Sequence, residues 1–141
     1  MSAADEQAAA LARLRHEMAW PPFHELLRPE AVSADPQSGV VVIALRYRDE
    51  LRGSPEARFY HGGVIATLID LAGHAAVAVR IGRTAPTIDL RIDYLRAADG
   101  SDLTATARLI KTGRSVARAD VEVTDAQGRQ IAIGRGTFST G

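Results

Sequence analysis

The chain has no cysteine, a single lysine (Lys111) and no net charge: Lys+Arg and Asp+Glu number 17 each. Without cysteine, a disulfide scaffold, thiol catalysis and a cysteine-based zinc site are all excluded. Zero net charge removes the bulk positive field of a nucleic-acid binder. With one lysine, nearly all positive charge is arginine, whose planar fork suits phosphates and carboxylates. The start, MSAADEQAAALARLRHEM, is charged and lacks the apolar core of a secretion signal. The longest apolar stretch, Val64 to Val79, is broken by Asp70 and His74 and falls short of a bilayer crossing. A cytoplasmic protein is therefore expected, with neither nucleic acid nor membrane as partner. There is no P-loop, no Gly-x-Ser-x-Gly and no His-Glu-x-x-His, and Gly134-Arg135-Gly136 lies within a strand pattern. The four histidines, His16, His24, His61 and His74, have no metal-ligand spacing. No metal or redox cofactor is expected.

What is present is enough for one domain. A chain of 141 residues, 46% hydrophobic and 24% charged, can bury a core unaided. Residues 3–19 read as a helix, with Leu11, Leu14 and Met18 at helical spacing, ended by Trp20-Pro21-Pro22. Phe23 to Leu27 allows one further turn. Asp35-Pro36-Gln37-Ser38-Gly39 is a turn between two strands, the second running from Val40 to Arg48. Residues 62–81 form the most apolar helix, closed by Gly82 as C-cap. Four runs of period-two alternation follow. Ile88, Leu90, Ile92 and Tyr94 share one face of the first. Leu103 to Leu109 and Ala117 to Val123 alternate in the next two, and in the fourth Ile131 and Ile133 lie opposite Ala132 and Gly134. Ala98-Asp99-Gly100, Lys111-Thr112-Gly113 and Asp125 to Gly128 suit hairpins, so the last four strands are expected as an antiparallel meander. The result is an α+β domain, α-β-β-α-β-β-β-β, with the sheet wrapped around the apolar helix. It is expected as one unit over 1–141, with about 1–22 as an N-terminal helical extension.

Two features point to chemistry. Asp70 interrupts the apolar helix, and its neighbours one turn away, Ala66, Thr67, Gly73 and His74, are small or polar. A carboxylate there is costly unless compensated. One reading is a catalytic group; the competing one is an ion pair with His74 or with an arginine from elsewhere. His61-Gly62-Gly63 stands at the mouth of the same helix, where unpaired N–H groups and the positive dipole end can hold a carbonyl oxygen gaining charge. The competing reading is a tight loop-to-helix turn. Asp70 lies eight residues beyond Gly62, about 12 Å at 1.5 Å per residue. A site using both groups is more easily built from two chains. Lys111, Arg114, Arg118 and Arg135 could reach phosphates, or could simply be solvated.

The run His61-Gly62-Gly63-Val64-Ile65-Ala66-Thr67-Leu68-Ile69-Asp70 resembles the helix motif of the hotdog-fold acyl-CoA thioesterases, in their phenylacetic-acid-pathway (PaaI-like) branch. Thr87 to Arg96, Gly113-Arg114 and Gly134 to Phe138 resemble the family's later strands, so the likeness covers about 38–140. It implies an antiparallel sheet wrapped around the 62–81 helix, homodimers or homotetramers with sites between subunits, and hydrolysis of an acyl-CoA to CoA and a carboxylic acid. By the same resemblance Asp70 is nucleophile or general base, the Gly62 amide is the oxyanion donor, and His61 places the thioester. Thr87 matches a position where some members hold a hydroxyl near the catalytic water, supplied by the other subunit. Gly63, Tyr60, His74, Lys111, Arg114 and Arg135 are expected substrate contacts. Phe59, Tyr60, Val77 and the N-terminal segment are expected to shape the pocket. Many members carry Asn six residues before the His; here Pro55 stands there and cannot orient a water. The alternative is thus a non-catalytic acyl-CoA-binding or sensing protein on the same fold.

Overall fold

A computed structural model describes residues 1–141. Helix α1 spans Ala3–Ala19. Ser2 opens it with a reciprocal cap: its hydroxyl accepts the Asp5 N–H, and the Asp5 carboxylate accepts the Ser2 N–H. Ala10, Leu14 and Met18 face inward, together with Glu17. The single turn α2, His24–Leu27, follows the two prolines. Strands β1 (Glu30–Asp35) and β2 (Val40–Leu45) form a hairpin. Its turn is held by the Asp35 carboxylate, which accepts the Gln37 N–H and the Ser38 hydroxyl, and by Gly39 at φ 73°. The second strand stops at Leu45, short of Arg48, because Tyr47 turns its N–H to the Asp102 carboxylate.

Helix α3 runs from Gly62 to Ile81. Gly82, at φ 76°, caps it and donates its N–H to Ala78 O, as the sequence predicts. Strands β3 (Thr87–Tyr94), β4 (Leu103–Thr112), β5 (Val116–Thr124) and β6 (Gln130–Ser139) complete an all-antiparallel sheet in the order β1-β2-β4-β5-β6-β3. The expected four-strand meander is therefore a three-strand one, β4-β5-β6. The Ala98-Asp99-Gly100 segment is no hairpin turn. β4 already has β2 and β5 on its two edges, so β3 takes the free edge of β6. The connection crosses the end of the sheet, pinned where Leu95 and Arg96 donate to Ile131 O and Tyr60 donates to Ala98 O.

The sheet wraps α3, which packs against β2 through β6 on one side and α1 on the other. One hydrophobic core runs from Ala10 to Phe138. By length and composition α3 could cross a membrane, which corrects the shorter reading of the apolar stretch; its apolar surface is instead largely buried inside the fold. Sheet and helix approach closely because small residues line the contact. On β6 the inward positions are Ala132, Gly134, Gly136 and Phe138, in register with Val123, Val121, Ala119 and Ala117. The expected apolar pair Ile131/Ile133 is thus split: Ile131 is buried, but Ile133 faces outward. A Cβ on Gly134 would stand 2.6 Å from Ile69 Cγ2 and 2.9 Å from Arg91 O. Only glycine fits there.

Candidate active site

β3 carries a bulge. Thr87 pairs with Phe138 and Asp89 with Thr137, leaving Ile88 as an extra residue. The bulge breaks the expected face-sharing of Ile88 with Leu90 and Ile92. Ile88 is exposed, and Thr87 takes the register position opposite the inward-facing Phe138. There its hydroxyl donates to Asp70 Oδ1 at 2.8 Å. The resemblance assigned Thr87 to the other subunit's site; in the structure it serves the Asp70 of its own chain. Asp70 is half-buried on α3, and neither His74 nor any arginine forms an ion pair with it. The competing ion-pair reading of Asp70 is thereby removed.

At the other end of α3, His61 is the N-cap. Its Nδ1 accepts the Gly63 N–H at 2.8 Å, which leaves a neutral ring with its proton on Nε2. A Cβ on Gly63 would lie 2.9 Å from that Nδ1, so the cap requires glycine. The Gly63 amide, an expected substrate contact, is thus already engaged. The Gly62 amide has no partner within the chain and is exposed. Tyr94, which sequence reasoning missed, donates its hydroxyl to Gly62 O at 2.8 Å. His61 itself is set by its N–H to Leu51 O. Pro55 sits exposed in the loop between Gly53 and Phe59, which the Gly53 N–H closes by donating to Phe59 O at 2.8 Å.

Several expected contacts are corrected. Tyr60 is a core residue, 3% exposed; its hydroxyl donates to Ser101 O, and burial pushes its pKa up. Val77 is likewise buried. His74 Nε2 accepts the Ala85 N–H at 3.0 Å, and Nδ1 faces Glu17 Oε2 at 3.9 Å, beyond hydrogen-bond distance. Burial holds its pKa below the ordinary range, against the opposing pull of Glu17 and Asp70. Arg135 lies on the outer face of the sheet, away from α3, and grips Asp120 with two hydrogen bonds of 2.6 and 2.9 Å. That grip lowers the Asp120 pKa. Lys111 and Arg114, near the β4–β5 turn, are exposed and unpaired. A groove of about 530 Å³ on the outer face includes Arg91, Arg108, Asp120 and Arg135 but neither Asp70 nor Gly62. No three His, Asp or Glu side chains gather where a metal would sit, so none is assigned to one.

The frame of one long helix in an antiparallel sheet, with a hydroxyl-bonded carboxylate on the helix and a free amide at its mouth, has known relatives. The model of the thioesterase superfamily matches residues 58–132. The medium/long-chain acyl-CoA thioesterase YigI of Escherichia coli is 32% identical over 115 residues, 70% of this chain and 74% of YigI. A solved thioesterase-superfamily protein superposes with a TM-score of 0.86 at 37% identity, covering 92% of this chain and 97% of that one. The E. coli PaaI protein from the phenylacetic acid degradation operon shares the fold, with a TM-score of 0.82 at 24% identity over 94% of both chains. The chain belongs to the thioesterase superfamily and has its hotdog fold. It is a thioester hydrolase.

Proposed function

We propose that this protein hydrolyses an acyl-CoA thioester to CoA and a free carboxylic acid. The kinship with an acyl-CoA thioesterase supports the substrate class. The observation that carries the reading is the division of the site along α3. Asp70 with its Thr87 hydroxyl lies two turns from the unpartnered Gly62 N–H, about 12 Å apart along one helix. One thioester carbonyl cannot span that distance, so the site is built from two chains. The free edge of β3, with exposed Ile88, Tyr94 and Leu95, is where a second copy would pair. Antiparallel pairing there brings one copy's Gly62 amide toward the other's Asp70.

In that site the Gly62 N–H holds the carbonyl oxygen as it gains negative charge, and the His61 Nε2–H helps place the thioester. Asp70, oriented by Thr87, takes a proton from the attacking water or attacks the carbonyl itself. The C–S bond then breaks and the CoA thiolate takes up a proton; where Asp70 itself has attacked, a water then cleaves the acyl–Asp70 anhydride, releasing the free acid and restoring the carboxylate. Lys111 and Arg114 are free to meet the nucleotide phosphates, whereas Arg135 is already neutralised by Asp120. The test is thiol release from a panel of acyl-CoAs, aryl against short and medium alkyl. Release from one class supports the reading; tight binding with no release from any class refutes it.

A further inference from the structure

α1 lies outside the segment matched by the superfamily model, yet it buries a carboxylate the mechanism above does not use. Glu17 is 2% exposed. Its Oε1 takes a hydrogen bond of 2.6 Å from Arg13, and its Oε2 faces His74 Nδ1 at 3.9 Å. A buried ion pair is costly and is weak evidence of added stability, so the question is what Glu17 holds in place.

The contacts between α3 and the run into β3 answer it. Asp70 and His74 lie one turn apart on the same face of α3. Ala85 and Thr87 lie two residues apart. Two hydrogen bonds join these pairs like rungs: Thr87 hydroxyl to Asp70 at 2.8 Å, and Ala85 N–H to His74 Nε2 at 3.0 Å. Between the helix cap and Thr87, the other hydrogen bonds run to the end of β6, from Arg83 to Thr140 O and from Ser139 N–H to Pro86 O. The rung at His74 is the one that ties this segment to α3. Ala85 is fully buried, so without His74 its N–H finds no water in exchange.

That rung needs one tautomer. Nε2 must keep its lone pair for the Ala85 N–H, so the proton sits on Nδ1, facing the Glu17 carboxylate. The other tautomer would set N–H against N–H at Ala85 and a lone pair against the carboxylate. The charged and titratable groups acting on this ring are Glu17 and Arg13 of α1, His24 of α2 and Asp70 of α3. We propose that Glu17 and His74 are positioning residues for the Asp70 site: Glu17 fixes the His74 tautomer, His74 holds Ala85, and Thr87 is thereby aimed at Asp70. This rests on the reading of Asp70 and Thr87 given above.

The test measures kcat, KM and melting temperature on the full chain. His74→Leu removes the acceptor; His74→Gln supplies an amide oxygen in its place; Glu17→Gln removes the charge with little change of shape. Each is made with Thr87 intact and in a Thr87→Ala background. The expected result is about a tenfold fall in kcat for His74→Leu, the rate equivalent of one lost hydrogen bond. KM stays unchanged, His74→Gln restores most of the rate, and Glu17→Gln gives a smaller fall. In the Thr87→Ala background these losses vanish, because the residues act through Thr87. Equal losses in both backgrounds overturn the proposal, as does unchanged kcat in a folded Glu17→Gln protein, which carries the test if His74→Leu does not fold. Wild-type rates in Asp70→Asn and Thr87→Ala would instead remove the site reading, and the proposal with it.

Discussion

Asp70→Asn separates chemistry from scaffolding. In the structure the Asp70 carboxylate accepts one hydrogen bond, from Thr87 at 2.8 Å, and forms no ion pair. An asparagine can present its Oδ1 to the same hydroxyl, so the contact survives and no cation is left unpaired. The stability cost should stay below about 1 kcal/mol, the scale of one neutral hydrogen bond. Against a usual stability of about 5–15 kcal/mol, that leaves the protein folded. The chemical cost is larger. An amide cannot take a proton from water or attack a thioester, and general-base catalysis is worth about a hundredfold or more. A hundredfold loss corresponds to about 2.7 kcal/mol of transition-state stabilisation. The expected outcome is a kcat lower by at least about two orders of magnitude, a nearly unchanged KM, and a melting temperature within a few degrees of wild type. Thiol release and a thermal melt on one preparation measure all three. Full turnover in a well-folded variant would refute the assignment, and the substrate reading would then rest on kinship alone.

Light scattering at micromolar concentration should give the mass of a dimer or tetramer; a monomer would contradict the two-chain site. Gly134→Ala should destabilise the fold by about 1–3 kcal/mol, because its Cβ would meet Ile69 at 2.6 Å and the Arg91 carbonyl at 2.9 Å; an unshifted melt would show that α3 can move away. Removing the charge of Lys111 and Arg114 should raise KM for CoA esters more than for truncated thioesters lacking the nucleotide, and equal effects would rule out a phosphate contact. Folding holds His74 below its ordinary pKa of 6.5, so the unfolded chain binds more protons as pH falls. The contribution of neutral His74 is complete above about pH 6.5 and declines as pH drops from there toward the folded-state pKa. Wild type should therefore lose more melting temperature than His74→Gln between about pH 7.5 and about pH 5, and equal losses would contradict a buried neutral ring.

The sequence by itself determined the elements whose causes are local. The helical spacing of Leu11, Leu14 and Met18, with prolines behind them, delimited α1. Gly82 ended α3 because a left-handed residue stops a helix cheaply. Asp70 and Gly62 stood out for the same reason: a charge in an apolar helix and glycines at its mouth are visible without coordinates. Pairing was not visible. Alternation says that a strand has two faces, but not which neighbour it has, and β3 went to β6 because β4 had no free edge. Nor does alternation survive an inserted residue. The bulge at Ile88 shifts the phase of β3 by one, which places Thr87 rather than Ile88 on the Asp70 side. On β6, Ile131 and Ile133 looked like the buried pair, yet the closely approaching helix needs Gly134 inside, the Phe138 ring leaves room only for Gly136, and Ile133 turns out. Glu17 was legible only as a charge on the stripe shared by Ala10, Leu14 and Met18. Arg13 stands one turn before it on the same helix, but His74 comes from α3, and only packing α1 onto α3 brings it to Glu17.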